Sequence, residues 1–253
     1  MILTFLGTGT SQGVPVIGCN CEVCSSTDPA DNRLRSSVHI LANELSIVID
    51  TGPDFRQQML REKIKALDAV LFTHHHKDHV AGMDDIRSYN FMSRKAIPVF
   101  ANHTTKEQLV KEFEYVFEPN GYGGGPKVLI QEINGTPFHF SNLEITPIEV
   151  FHDELQVFGY KIGDFTYITD ANYISDKEVE KIYGSRILIL NALQRTPHPS
   201  HFTLDEALEH IEKINPGEAY LTHISHKMGL HKEVTSLLPG NVHLAYDGLK
   251  LKI

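Results

Sequence analysis

A chain of 253 residues with 41% hydrophobic content can bury a sizeable core as one large domain or two small ones. Its 23 basic against 32 acidic residues, a formal charge of −9, exclude a surface built mainly to grip a long nucleic acid and favour a small substrate. No apolar run reaches the roughly 18 residues of a membrane span, and the N-terminal stretch MILTFLGTGTSQG carries no basic leader, so no membrane contact and a cytoplasmic location are expected.

In chain order, residues 1–7, 37–42, 45–52 and 68–74 are short apolar runs of strand character, with one helix-like stretch, 54–64, among them. Helical periodicity then predicts helices over 79–92, 104–117, 175–184 and 203–214. Apolar runs predict strands over 96–102, 143–150, 157–163, 165–170, 186–192, 218–223 and 242–248. The alternation predicts a layered α/β protein. The one low-complexity segment, the Gly/Pro loop 118–127, is too short for a domain linker, so a single domain over 1–253 is expected. All three cysteines fall in GCNCEVC. They are odd in number and too tightly spaced for a disulfide framework, which points to a metal-binding knuckle over about residues 18–25.

The stretch FTHHHKDHVAG, residues 72–82, holds four of the fifteen histidines. His74 and His76 leave a strand two residues apart, so their imidazoles point the same way and can converge on one ion. Asp78 and His79 open the next turn and can reach a second ion beside it. His75 and Lys77 are left to solvent or to a supporting role.

This spacing resembles the H-x-H-x-D-H signature of the metallo-β-lactamase superfamily, and the likeness extends along the whole chain. The resemblance implies a four-layer αβ/βα sandwich with a dinuclear metal site on one edge. Asp50 resembles the strand-ending aspartate that braces the metal loop, His152 the third histidine of the first metal, Asp170 the bridging carboxylate and His223 the last ligand. One metal would then be held by His74, His76 and His152 and the other by Asp78, His79 and His223, with Asp170 between them. Two divalent ions, zinc or manganese, roughly 3.5–4 Å apart would hold a hydroxide and polarise a scissile bond. Hydrolysis is the implied reaction, with Asp78 and His201 as the catalytic candidates.

Within the superfamily, GTGTSQGVPVIGCNCEVC resembles the group of cyclic phosphodiesterases associated with the carbon–phosphorus lyase pathway, the PhnP family. Cys19, Cys21 and Cys24 with His226 would complete a tetrahedral structural zinc. The segment TPHPSHFTLDEAL resembles a phosphodiesterase motif in which a histidine precedes a threonine-capped helix. His201 is that histidine, a general acid whose pKa near the unperturbed value of about 6.5 suits neutral pH, and His198 is an alternative. Thr203 and Glu206 form a capping box for the helix that follows. A small, cyclic phosphodiester is the expected substrate and a homodimer the expected assembly. Arg35, Ser36, Ser37 or the backbone of GTGTSQG are candidates to bind phosphate, the last equally readable as a tight turn.

Four alternatives stay open. A tRNA 3′-processing endonuclease shares the ligands but carries a long insertion where His152 and Asp170 are here 18 residues apart. A thiolester hydrolase and the pyrroloquinoline quinone biosynthesis protein share the scaffold, and a non-catalytic zinc-stabilised binding protein would keep it without chemistry. A secreted β-lactamase is disfavoured by the three reduced cysteines.

Overall fold

A computed structural model describes residues 1–118 and 124–253; of the Gly/Pro loop 118–127, residues 119–123 lie outside the described residues. The first sheet contains β1 (Ile2–Gly7), β2 (Ser37–Ala42), β3 (Leu45–Ile49), β4 (Ala69–Leu71), β5 (Ile97–Ala101) and β6 (Val128–Glu132). The second is built from β7 (Phe138–Phe140), β8 (Leu143–His152), β9 (Leu155–Ile162), β10 (Phe165–Ile168), β11 (Tyr173–Ile174), β12 (Ile187–Asn191), β13 (Glu218–Thr222) and β14 (Val242–Leu244), while β15 (Lys250–Lys252) returns to pair with β1 in the first sheet. The orders are β15-β1-β2-β3-β4-β5-β6 and β11-β8-β9-β10-β12-β13-β14, with β7 beside β8. Each sheet has an antiparallel half and a parallel half. The parallel strands are β3 to β6 in one and β10, β12, β13 and β14 in the other.

Period-2 patterning explains the layers. Ile47 and Ile49 point to the space between the sheets and Val48 to the opposite face, while Ile189 faces inward and Leu188 and Leu190 outward. Strands apolar on both faces need cover on both. Between the sheets, Leu3, Phe5, Ile47 and Leu71 meet Ile145, Tyr160, Tyr167 and Ile189. Outside the first sheet, Val48, Val70 and Val99 pack with helices α1 (Phe55–Arg61), α2 (Lys77–Val80), α3 (Arg87–Ser93) and α4 (His103–Glu112), which contribute Phe55, Val80, Tyr89 and Leu109. The short helix α5 (Glu114–Phe117) follows α4. Outside the second sheet, α6 (Asp176–Ile182), α7 (Leu204–Ile214) and α8 (His231–Thr235) bury Ile182, Ile211 and Val234 against Leu188, Leu190 and Leu221. The three cores make the four layers of the sandwich, each buried aliphatic side chain contributing about 1.5–3 kcal/mol. Among the described residues no helix is long and apolar enough to cross a membrane.

The expected helix over 79–92 is broken. It becomes α2, a tight turn over Met83–Ile86, and α3. Gly82 is the reason: a Cβ there would stand 2.2 Å from the Gly52 carbonyl oxygen, and its N–H donates to Thr51 O at 2.8 Å. The chain bends to keep the metal-loop candidates against the residues that follow Asp50. The expected helix 104–117 likewise divides at Phe113 (φ −113°, ψ 40°).

Candidate active site

The histidines and aspartates singled out by spacing, at His74, and by the family resemblance, at the other four positions, stand where strands stop. Asp50 follows β3, His74 follows β4, His152 ends β8, Asp170 follows β10 and His223 follows β13. All but β8 belong to the parallel halves, and carboxyl ends of parallel strands are where open α/β sheets place their ligands. Three of these residues turn in left-handed backbone, with φ of 65° at Asp50, 55° at Asp170 and 55° at His223. For residues other than glycine that conformation is uncommon and gathers at functional sites. Local bonds hold it. Ser37 Oγ donates to the carbonyls of Ile49 and Asp50 at 3.0 and 2.8 Å. The Asn191 amide both accepts from Ala171 N and donates to Ala171 O at 2.9 Å, fixing the residue beyond Asp170.

Hydrogen bonding sets the imidazole tautomers. Thr73 donates to the buried Asp50 carboxylate from both N and Oγ, each at 2.8 Å. With its proton so committed, Thr73 Oγ can only accept from His74 Nδ1 at 3.0 Å, which leaves a lone pair on His74 Nε2, a buried atom with no hydrogen-bond partner among the described residues. His79 Nδ1 donates to Asp50 Oδ2 at 2.7 Å, aiming Nε2 at Asp78 Oδ2 (3.1 Å) and Asp170 Oδ2 (3.2 Å). His152 Nδ1 donates to Ser200 O at 2.7 Å, freeing its Nε2. Imidazole lone pairs and carboxylate oxygens facing one another are a donor set for cations.

Asp170 lies at the centre. Its Oδ2 is 3.2 Å from His79 Nε2 and 3.2 Å from His223 Nδ1, and its Oδ1 is 3.9 Å from His201 Nδ1. Ligand atoms of Asp78, His79, Asp170 and His223 all lie within 4.8 Å of one another, and so do those of His152, Asp170 and His201. His74 and His76 complete the cluster, their ring centroids 4.6 Å apart and 5.8 and 5.1 Å from His152. Burial opposes every charge here, yet the Asp78, Asp170 and Asp50 carboxylates together hold the His79 pKa well above its ordinary value. Against the same burial, His79 holds Asp78 below the usual carboxylate range and His223 and His79 hold Asp170 there. Carboxylates so placed favour positive charge beside them, whether a proton on His79 Nε2 or, with that nitrogen unprotonated, a cation.

His201 departs from expectation. Its ring is only 8% exposed, sits 4.5 Å from the His152 ring and 4.8 Å from that of His223, and leaves Nδ1 without a partner. Burial, followed by the neighbouring His223, pulls its pKa from 6.5 to about 3 rather than leaving it unperturbed. His198 is exposed, 5.1 Å from the His201 ring.

At the knuckle, His226 Nδ1 lies 3.3 Å from Cys19 Sγ and 3.4 Å from both Cys21 Sγ and Cys24 Sγ. A tetrahedral zinc with bonds of about 2.3 Å to sulfur and about 2.0–2.1 Å to nitrogen would separate those atoms by roughly 3.5 Å. One nitrogen equidistant from three sulfurs is no hydrogen-bond geometry, and all four atoms fit one ion. The amides of Val16 and Cys24 donate to Cys24 Sγ and Cys21 Sγ at 3.3 and 3.5 Å; the bond from Cys24 N helps bring the Cys21 thiol pKa down to about 6, whereas burial pushes that of Cys24 up to about 11. Thr8, Thr10 and Ile224 exchange backbone bonds of 2.9 and 3.1 Å, pinning this loop between His223 and His226.

The phosphate-binding candidates fare differently. Ser36 and Ser37 are buried, their hydroxyls donating to Gly9 O and to the Ile49 and Asp50 carbonyls. Arg35 is spent on both oxygens of Asp54 at 3.2 Å and on Ser11 O at 3.1 Å. The glycine loop is a packing turn. A Cβ at Gly7 would stand 1.9 Å from Arg35 O and one at Gly9 2.8 Å from Arg33 O, while the amides of Gly9, Thr10 and Gly13 already donate to backbone carbonyls. Sequence reasoning missed the supporting residues Thr73, Thr169 and Asn191. A signal was present: F-T-H, I-T-D and L-T-H place a threonine before His74, Asp170 and His223, and Thr169 Oγ donates to Asp170 Oδ2 at 2.6 Å.

Residues 46–224 match the beta-lactamase superfamily domain. The crystal structure of a new diphosphatase from the PhnP family superposes with a TM-score of 0.93 at 42% identity, covering 99% of this chain and 96% of that one. An octanoyltransferase of Porphyromonas gingivalis is 40% identical over 248 residues, 97% of this chain and 50% of its own length; the chain thus spans about half of that relative. The zinc-bound PqqB of Methylobacterium extorquens shares the fold, with a TM-score of 0.79 at 18% identity over 100% of both chains. The fold is that of metallo-hydrolases, and the chain belongs to the metallo-β-lactamase superfamily and, within it, to the PhnP family.

Proposed function

We propose that this chain, as one domain, is a metal-dependent phosphoesterase acting on a small phosphodiester or a diphosphate. The observation that carries the reading is the Asp170 carboxylate with His79, His223 and His201 turned toward it. In this reading His74, His76 and His152 would hold one divalent ion and Asp78, His79 and His223 the other, with Asp170 available to either. Cys19, Cys21, Cys24 and His226 hold a third, structural zinc. When bound, the pair supplies Lewis-acid neutralisation of a phosphoryl group and acidifies water at neutral pH. Imidazole and carboxylate ligands accept zinc and manganese alike. A homodimer and a cytoplasmic location belong to the same reading.

The protein's own part is to place and protonate. Asp50 and Thr73 orient the ligand imidazoles, and His201 supplies a proton to the departing oxygen. A buried imidazole with a lowered pKa becomes a donor once an anionic phosphoryl oxygen lies beside it, because that charge favours the imidazolium. Hydrolysis of bis-p-nitrophenyl phosphate or of a small diphosphate ester, abolished by a chelator and restored by metal, tests the reading; no turnover of either with metal restored would refute it. His201→Ala should lower kcat by roughly 10²- to 10⁴-fold for a poor alkoxide leaving group and far less for p-nitrophenolate, which needs no proton.

A second reading, acyl transfer or thiolester hydrolysis, is favoured only by the octanoyltransferase relative, of which the chain spans half. Turnover of an octanoyl thiolester in place of the phosphodiester would select it.

A further inference from the structure

Among the described residues His201 Nδ1 has no hydrogen-bond partner, so the placement of the ring depends on the strap that carries it, residues 199–202. Four contacts anchor that strap. Ser200 O accepts from His152 Nδ1 at 2.7 Å, Phe202 N donates to Ala171 O at 2.8 Å, Phe202 O accepts from Leu193 N at 2.9 Å, and Pro199 O accepts from Asn172 Nδ2 at 2.9 Å. Asn172 does more than close that list. Its Oδ1 accepts from Asp153 N at 2.8 Å and its own N–H donates to Phe151 O at 2.8 Å. Asp153 makes the turn after His152 in left-handed backbone, φ 57°. One amide side chain therefore grips two pieces of chain, the turn that sets His152 and the strap that sets His201, from a position two residues beyond Asp170.

We infer that Asn172 is a positioning residue for proton donation, holding His201 over the leaving oxygen at a fixed distance from His152 and Asp170. The inference rests on the reading of His201 as proton donor. An amide serves because it offers an acceptor for Asp153 N and a donor for Pro199 O on two separate atoms of one short side chain, where a carboxylate offers acceptors alone. Displacement of a catalytic group by about 1 Å can cost as much as 10²-fold in rate. The loss should fall on the step that needs the proton.

The two grips are separable. Asn172→Asp keeps the acceptor for Asp153 N, removes the donor and sets a carboxylate against the Pro199 carbonyl. Metal-loaded Asn172→Asp should keep its full metal content and turn over p-nitrophenyl phosphodiesters within about twofold of wild type, while slowing an alkyl phosphodiester by roughly ten- to a hundredfold in kcat. In a His201→Ala background the same substitution should add no further leaving-group dependence, a non-additivity that a merely structural role would not produce. Equal losses on both substrates, additive losses in the double variant, or metal loss in Asn172→Asp would each overturn the inference. If His201→Ala alone shows no leaving-group dependence, the proton-donor reading falls and takes this one with it. If His201→Ala shows it and Asn172→Asp does not, only the role of Asn172 falls.

Discussion

The two metal-binding candidates differ in what holds them. The Asp170 cluster lies at strand ends, with Asp50, His74, His79 and His223 buried and the first three each bonded to Thr73 or to one another. The cysteine knuckle lies in a loop without a regular element. Cys21 is exposed, Cys19 and Cys24 are half-buried, and Ile17 beside them is 99% exposed. Under the proposed reading, the first site is organised by the protein and receives its ions, whereas the second has no core of its own and is organised by its ion. Metal binding should therefore be coupled to local folding at the knuckle and much less so at the cluster.

The sharpest way to break that contrast is Cys21→Ser. Structural zinc is worth about 10–16 kcal/mol in small zinc-dependent peptides, so losing one thiolate should release that ion outright. Elemental analysis should fall from three metals per chain to two, with limited proteolysis newly cutting within residues 11–28 and the catalytic pair retained. Unchanged metal, or loss of all three, would show that the two sites are not independent in the way their surroundings imply.

A buried histidine remote from both sites provides a control for acid sensitivity. His39 Nε2 bonds Ser46 Oγ at 2.8 Å, and burial, aided by Lys250, lowers its pKa from 6.5 to about 4. Above 6.5 it is neutral folded or unfolded and contributes nothing to pH dependence. Between 6.5 and about 4 the unfolded chain takes up a proton that the folded chain refuses, so stability falls with pH, by about 3 kcal/mol at most. His39→Leu should flatten urea-unfolding stability between pH 6.5 and 4 without touching metal content. An unchanged slope would return acid sensitivity to the imidazoles of the Asp170 cluster.

Asp50 tests the organised site more gently. Asp50→Asn keeps an acceptor for Thr73 but removes the charge behind His79. Loss of such a supporting partner costs roughly 10- to 100-fold in metal affinity, readable by competition with a chromophoric chelator. An affinity within twofold of wild type would mean that the His79 orientation is fixed by packing instead.

The sequence exposed the candidate ligands more readily than their supports. His74, His76, Asp78 and His79 crowd one turn, the resemblance added Asp50, Asp170 and His223, and the apolar runs before them predict the strands that carry them, β3, β4, β10 and β13. Asn172 and Asn191 were not legible, because their roles are bonds to backbone atoms brought near by the fold. The depressed pKa of His201 was hidden for a similar reason: burial is a property of the assembled layers. Short edge strands β6, β7, β11 and β15 escaped prediction because their apolar runs are brief and, in β6, exposed at alternate positions. The expected helix over 79–92 failed at a contact between Gly82 and Gly52 that no local periodicity encodes.

The smallest predicted effect concerns Thr203, which caps α7 two residues after His201. Its Oγ accepts from Glu206 N at 3.2 Å, and Glu206 Oε2 accepts from Thr203 N at 2.8 Å, closing the reciprocal box. Removing such a cap typically costs about 1 kcal/mol. Thr203→Ala should therefore lower unfolding stability by that amount, and Thr203→Ser should restore most of it. Metal content should not change, because no metal-binding candidate is bonded to this box. Activity tells how far the organised site extends. Phe202 remains tied to Ala171 and Leu193 at 2.8 and 2.9 Å, so if those ties fix the strap, the leaving-group dependence of Thr203→Ala will match wild type. If it instead shifts toward that of His201→Ala, the helix terminus is part of what aims the imidazole, and the organised region reaches beyond the strand ends into α7.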